Sequence, residues 1–256
     1  MSFSAELRSS GSYDDQSEEA LSARWNVPKV HAFDTIGSTL DAAHKLAENA
    51  PSGTIILAGE QTAGRGRHGR RWTSAPEAGV WLTIIERPTD ARALDVLALR
   101  CGLYAAEALD PLAESTINVK WPNDLLVNGR KLAGILIETR WRGTAPEWVA
   151  IGFGLNVVAP PDLAASGLIP GTTRVAALDD LVPALRRAAA ATRHLSDSEL
   201  LRWRARDRAV GRMVTEPAVG TVQGINSAGE LLVLSDGRVS AHRSGSLTFA
   251  EPLTCS

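Results

Sequence analysis

Gly64-Arg65-Gly66-Arg67-His68-Gly69-Arg70-Arg71-Trp72 is the segment on which the reading of this chain turns. Its glycines let the backbone approach a ligand closely and adopt positive φ. Its arginines supply planar, permanently charged donor forks that match carboxylate and phosphate. The closing tryptophan adds a large flat face. A cationic, donor-rich loop ending in such a ring points to an anionic ligand that also carries a flat ring, as a nucleotide does. Other uses stay open on these residues alone. Gly64-x-Gly66-x-x-Gly69 formally matches the dinucleotide fingerprint, which requires a helix to open on it. Here Trp72-Thr73-Ser74-Ala75-Pro76-Glu77-Ala78-Gly79 reads as loop running into a strand. No Gly-Lys-Ser/Thr follows, so a Walker A loop is absent. An arginine-glycine RNA-binding segment and a plain solvated basic loop remain as alternatives.

Outward from the loop, Thr54 to Leu57 reads as a strand leading in, and Val80 to Ile85 as the strand leading out. Ser38-Thr39 cap a helix that begins at Leu40. Leu94, Leu97, Ala98, Cys101, Ala105 and Ala108 follow helical spacing within a predicted helix over 91–109. Ile117 to Lys120 is a short strand that ends in Lys120-Trp121-Pro122-Asn123-Asp124. A lysine at a strand end, before a proline that stops the strand, places an ammonium above the sheet. Asn123 and Asp124 fit ligand contact, metal contact or simple capping of a turn. Leu125 to Val127 and Leu132 to Ile137 flank Asn128-Gly129, a strong hairpin signal. Trp148 to Leu155 is a further strand, and Gly152-Phe153-Gly154-Leu155-Asn156 within it marks either close ligand approach or a bulge. Ala159 to Thr173 reads as a long loop of the kind that often carries function. Helices fill 175–207. After Arg208 the pattern holds only short strands (Thr221 to Ile225, Glu230 to Leu234, Val239 to His242), which is a small all-β module.

Composition sets the class. With 44% apolar and 22% charged residues the 256-residue chain is an ordinary globular protein of one or two domains. Its net charge of −2 gives no global call for nucleic acid or an anionic membrane. The cations are local. Cys101 and Cys255 cannot build a disulfide framework and fit a reducing cytoplasm. The spacing places Cys101 in the core. No stretch reaches the ~20 apolar residues of a membrane span. Residues 1–24 are polar, without a signal-peptide core, and are expected to be a disordered tail. His31, His44, His68, His194 and His242 show no metal-ligand spacing.

Taken together and in order, these motifs resemble the biotin protein ligases. The match runs through Gly37-Ser38-Thr39, Gln61 to Trp72, Val119 to Asp124, Lys131 to Glu138 and Gly152 to Val157, and extends from about Val30 to Phe249. One departure stands out: the family usually has asparagine after Ser-Thr, where this chain has Leu40. The resemblance implies an α+β catalytic domain of the class II synthetase type, with a mixed sheet and flanking helices, over 25–208. A small SH3-like barrel is expected over 209–256. It also implies the short, monofunctional class without an N-terminal winged helix, so no DNA partner is expected.

The implied reaction has two steps. Biotin and ATP, with Mg²⁺, give biotinyl-5′-AMP and pyrophosphate; a lysine of the biotin carboxyl carrier protein then takes the biotinyl group. By resemblance Lys120, Arg65 and Arg67 are the catalytic residues; Arg65 and Arg67, with Gly64 and Gly66, form a lid that orders over biotin and its adenylate and screens its charge. Lys120 holds the biotin carboxylate and α-phosphate oxygens. Ser38, Thr39 and Gln61 hydrogen-bond the ureido head, and Gly134 belongs to the same biotin site. Arg70 faces the ATP phosphates, Trp72 lies near the adenine, and Asn123, Lys131 and Asn156 fall on the nucleotide side. No residue is assigned to Mg²⁺, and monomer and homodimer are both compatible. A lipoate or octanoate transferase, a non-catalytic biotin- or nucleotide-binding module and a DNA-binding repressor are the rival readings.

Overall fold

The computed structural model describes residues 9–161 and 164–251. The expectation of a disordered tail over 1–24 fails from Ser9 onward. β1 (Ser12–Tyr13) and β2 (Gln16–Ser17) make a small hairpin that runs into α1 (Glu18–Arg24). The polar residues that made this segment look like coil are its fasteners. The Ser17 hydroxyl accepts from Ala20 N–H and caps α1. Glu18 Oε1 accepts from Ala32 N–H at 2.7 Å, and Ser10 N–H donates to the Ala32 carbonyl at 2.7 Å. Ala32 lies on the outer edge of the main sheet, so the segment blunts that edge. Tyr13 and Leu21 supply the apolar anchors. Two buried side chains suffice because they dock onto a core built by the rest of the chain.

β3 (Val30–Ile36) and β4 (Thr54–Gln61) are parallel, joined by α2 (Thr39–Leu46). Then follow β5 (Gly79–Glu86), α3 (Ala91–Leu94), α4 (Leu97–Leu109), β6 (Asn118–Lys120), β7 (Asp124–Val127), β8 (Arg130–Arg142) and β9 (Ala145–Asn156). The sheet order is β3-β4-β5-β9-β8-β7-β6, antiparallel except at β3–β4. This is the expected mixed sheet. The β7–β8 turn has Asn128 and Gly129 at φ 50° and 75°, the left-handed pair that a tight hairpin requires. The single helix predicted over 91–109 is broken between Leu94 and Leu97. Val96 is non-helical at φ −114°, ψ 4° and is fully buried.

Strand alternation assigns the two faces. Val80, Leu82 and Ile84 of β5, with Ile151, Phe153 and Leu155 of β9, meet α4 and the long α5 (Arg174–Ala190) in the larger core. Ile56, Ile85 and Ala150 point the other way and pack on Leu40 and Ala43 of α2 and on Ala47, its C-cap. Cys101 is buried on α4, as expected, and burial pushes its thiol up to about 12. Cys255 lies outside the described residues. α6 (Asp197–Arg206) is tied to α4 by a buried ion pair, Arg100 Nε to Glu199 Oε1 at 2.6 Å. Among the described residues no helix is long and apolar enough to cross a membrane.

The chain ends in a five-stranded antiparallel sheet. It contains β10 (Met213–Glu216), β11 (Gly220–Ile225), β12 (Leu231–Ser235), β13 (Arg238–His242) and β14 (Thr248–Phe249), in the order β13-β12-β11-β10-β14. It is fastened to the main sheet beside Lys120. Trp121 Nε1 donates to the Gly229 carbonyl at 3.0 Å, and Arg208 N–H to the Val119 carbonyl at 3.4 Å.

The docking of the N-terminal segment is testable. Leu21→Ala removes a fully buried side chain and is expected to lower the unfolding free energy by about 2–5 kcal/mol in urea titration. A disordered tail would give no change.

Candidate active site

The glycine-arginine loop is a hairpin. Gly66 N–H donates to the Arg70 carbonyl at 2.7 Å, Trp72 N–H to the Gly64 carbonyl at 2.9 Å, and Arg65 and Arg71 bridge antiparallel. Its tip is turned by His68 and Gly69 at φ 55° and 71°. No α-helix opens on it; residues 73–78 lead into β5, which rules out the dinucleotide-fingerprint reading.

This hairpin is seated by Trp72. Gly134 of β8 and Gly154 of β9 are direct cross-strand partners. A Cβ at Gly154 would fall 2.6 Å from Trp72 Nε1, and one at Gly134 would fall 3.0 Å from its Cζ3. The indole therefore lies against bare backbone, which is why glycine stands inside both strands. Trp81 meets it edge-on at 6.4 Å, and Lys131 Nζ lies 5.2 Å from its centroid. Two residue pairs away, Leu40 takes the same advantage of Gly152, whose Cβ would lie 3.0 Å from Leu40 Cδ1. In place of the amide usual at this position, the chain has a side chain that packs on the sheet.

Between hairpin, α2 and the β6–β7 turn lies a cavity of about 270 Å³. Its two ends differ in chemistry. At the α2 end, Gln61 Oε1 accepts from Thr39 N–H at 2.9 Å and from Thr39 Oγ1 at 3.1 Å, while Gln61 Nε2 donates to Ser74 Oγ at 2.8 Å. Thr83 Oγ1 donates to Thr39 Oγ1 at 2.8 Å. Ser38 precedes α2 as expected, but its hydroxyl does not cap the helix; it is buried without a hydrogen-bond partner. A buried hydroxyl left so is costly unless a ligand completes it.

The opposite end is cationic. Arg67, Arg70, Lys120 and Lys131 gather there against Asp124, the one carboxylate lining the cavity among the described residues; Arg65 and Arg71 also line it, with Arg65 held toward α2. Arg67 donates to Asn123 Oδ1 at 3.2 Å and to the Gly245 carbonyl at 3.1 Å. Lys131 Nζ pairs with Asp124 Oδ1 at 2.7 Å. Lys120, at the end of β6, holds its ammonium 5.5 Å from the Phe249 ring centroid. Burial lowers the Lys120 pKa below the usual lysine range; Asp124 opposes this, and Lys131 and Arg70 reinforce it.

The structure thus gathers Ser38, Thr39, Gln61, Arg65, Gly66, Arg67, Arg70, Trp72, Lys120, Asn123, Lys131 and Gly134 around one cavity. Gly64 and Asn156 do not line it. Gly64 sits on the outer side of the hairpin, where a Cβ would fall 2.6 Å from the Trp72 carbonyl. Asn156 is buried, and its amide donates to the Lys131 carbonyl at 3.3 Å, so it supports a lining strand. The sequence reading missed Ser246, Leu247 and Thr248, which form a wall contributed by the C-terminal module. Nothing in their composition signals this; only docking of the module brings them there.

With this geometry in place, comparison with known proteins gives a consistent result. Residues 32–156 match the biotin/lipoate A/B protein ligase family. A biotin–[acetyl-CoA-carboxylase] ligase of Mycobacterium tuberculosis is 31% identical over 226 residues, 79% of this chain and 82% of that protein. The bifunctional ligase/repressor BirA of Bacillus subtilis is 40% identical over 131 residues, 50% of this chain and 40% of its own length. The chain thus spans well under half of that relative. A biotin protein ligase of Aquifex aeolicus, solved in complex with biotin and ATP, superposes with a TM-score of 0.70 at 24% identity, covering 86% of this chain and 99% of that one. The chain belongs to the biotin protein ligases of the biotin/lipoate A/B protein ligase family.

The seat of Trp72 is directly testable. Gly154→Ala is expected to displace the indole at a loss of about 1–3 kcal/mol in stability, as overpacking does. A shifted tryptophan emission maximum in the folded variant reports the displacement. An unchanged spectrum and melt would mean that the indole does not lie on the strand.

Proposed function

We propose that this chain activates biotin with ATP as biotinyl-5′-AMP, releasing pyrophosphate, and passes the biotinyl group to a lysine of a biotin carboxyl carrier domain. The observation that carries this reading is the two-ended cavity. A buried, unpartnered Ser38 hydroxyl with Thr39 and Gln61 suits the ureido head of biotin, and a group of cations about Lys120 suits a carboxylate meeting phosphates. The family supports it, as does the ligase from Mycobacterium tuberculosis that aligns with most of this chain.

The chemistry sets the demands on the site. In the first step a carboxylate oxygen bonds to the α-phosphorus while the bond to the β-phosphate bridging oxygen breaks, releasing pyrophosphate. Two anions must approach each other, so their repulsion must be screened by charges already in place. Lys120, Arg67 and Arg70 are held there by strand end, Asn123 and hairpin. In the second step the acceptor amine bonds to the acyl carbon, the acyl–oxygen bond breaks, and AMP leaves while the nitrogen gives up a proton. Lys120 again faces the phosphate as charge returns to it. Mg²⁺ binds through one or two carboxylates, water and substrate phosphates. Asp124, the carboxylate lining the cavity among the described residues, fits that donor set. The ion, when bound, neutralises phosphate charge.

In this reading Trp72 lies on the nucleotide side of the cavity, with Lys131 over its ring. The C-terminal module, from about residue 209, serves as a wall of the site.

The decisive experiment is ATP–pyrophosphate exchange with biotin, lipoate and octanoate offered in turn. Biotin alone is expected to support exchange. Exchange with lipoate only, or with none despite measurable biotin binding, overturns the assignment. In the same assay Lys120→Ala should reduce adenylate formation by about 10²–10³ with the fold intact. A second outcome follows from the lowered Lys120 pKa. Only the ammonium screens charge, so activity is fully present below that pKa and lost as pH rises through it. The alkaline limb of the rate profile should therefore fall below the ~10.4 of an ordinary lysine and move upward in Lys120→Arg.

A further inference from the structure

Arg65 lines the cavity, but its charge is engaged on the outer side of the hairpin. Its Nη1 and Nη2 meet Glu138 Oε1 and Oε2 at 2.8 and 2.9 Å, a two-pronged pairing. Nη2 also lies 3.0 Å from Asp41 Oδ1. Glu138 is further oriented by His44 Nε2 at 2.5 Å from Oε2. Asp41 belongs to the first turn of α2 and Glu138 to β8, so one guanidinium fastens the hairpin to two adjacent elements on one side of the cavity mouth. Neither carboxylate lines the cavity itself; both lie along the groove outside the hairpin. On the far side, Arg67 makes the corresponding ties to Asn123 and to the Gly245 carbonyl. With two anions around it, Arg65 adds little positive charge to the reacting groups. Its contribution is mechanical.

We propose that Glu138 and Asp41 are positioning residues that clamp the hairpin through Arg65 and so retain the acyl-adenylate between the two half-reactions. This rests on the activity proposed above. An acyl phosphate is reactive toward water and toward any amine, so a ligase that makes one before its acceptor arrives needs a closed cover. The glycines that shape this hairpin also leave its backbone loosely restrained. Its closure therefore falls to side-chain ties. Arg65 supplies the tie on the α2–β8 side, and releasing it opens the cover without removing a group that touches the cavity.

The test uses the full chain and the variants Glu138→Gln and Asp41→Asn, which keep size and remove charge at a half-buried and an exposed position. Amide hydrogen exchange over residues 64–72 of the ligand-free protein should quicken by about fivefold in Glu138→Gln, the scale of a part-exposed charge pair, with β5 and β9 unchanged. Preformed biotinyl-adenylate should leave the variant about fivefold faster, with its rate of formation less affected. Asp41→Asn should show the same pattern more weakly. In an Arg65→Ala background, Glu138→Gln should add nothing, because the clamp is already open. A general structural role for Glu138 would persist in that background, and that result overturns the proposal. Parent-like exchange and parent-like adenylate release in Glu138→Gln also overturn it. Faster exchange in the variants, from a parent that forms no adenylate, would support the clamp on the hairpin and sink the activity instead.

Discussion

The contact of the Trp72 indole with the backbone of Gly134 and Gly154 organises the site. A loop of glycines and arginines has no apolar content with which to hold itself against a sheet, and its like charges repel. One large ring, laid on two strands stripped of side chains, supplies the attachment. Everything else in the cavity is placed relative to that seat. The hairpin bonds from Gly64 to Trp72 and from Gly66 to Arg70 fix the arginines above it, and Lys131 stands over the ring. The β6–β7 turn brings Lys120 and Asn123 opposite. A side chain at either glycine would lift the whole assembly.

A second constraint runs through α2. Leu40 packs on Gly152 and holds the helix down on the sheet, which buries Ser38 and Thr39 at its start. The Ser38 hydroxyl, in a position where helix N-termini are normally capped, is spent neither on the helix nor on solvent. The structure keeps a polar atom in reserve at the α2 end of the cavity, and the opposite end stores an excess of cations. These two costs stand side by side in one cavity of about 270 Å³, which is the physical basis for reading it as a ligand site.

Much of this was legible from residues. Asn128-Gly129 announced the β7–β8 hairpin because its geometry demands left-handed residues. Gly152 and Gly154 signalled close approach, although of a side chain from this chain and not only of a ligand. What escaped reading depends on docking between distant segments. Residues 9–24 are too polar to suggest structure, yet their polarity is consumed in fastening them to the β3 edge and α5. β10 and β14 are too short to show alternation. Arg100, a charge in the apolar stripe of α4, makes sense only with Glu199 99 residues away. The partnership of Arg65 with Glu138 crosses 73 residues, and no local pattern announces it.

The wall formed by Ser246, Leu247 and Thr248 ties the fate of the two modules together. The C-terminal sheet is small, and part of the module's surface also lines the cavity. A ligand that touches this wall would stabilise the module, and loosening the module would weaken that ligand by the same free energy. The small module is in that sense a thermodynamic partner of the cavity, joined to the hairpin through Arg67 and the Gly245 carbonyl.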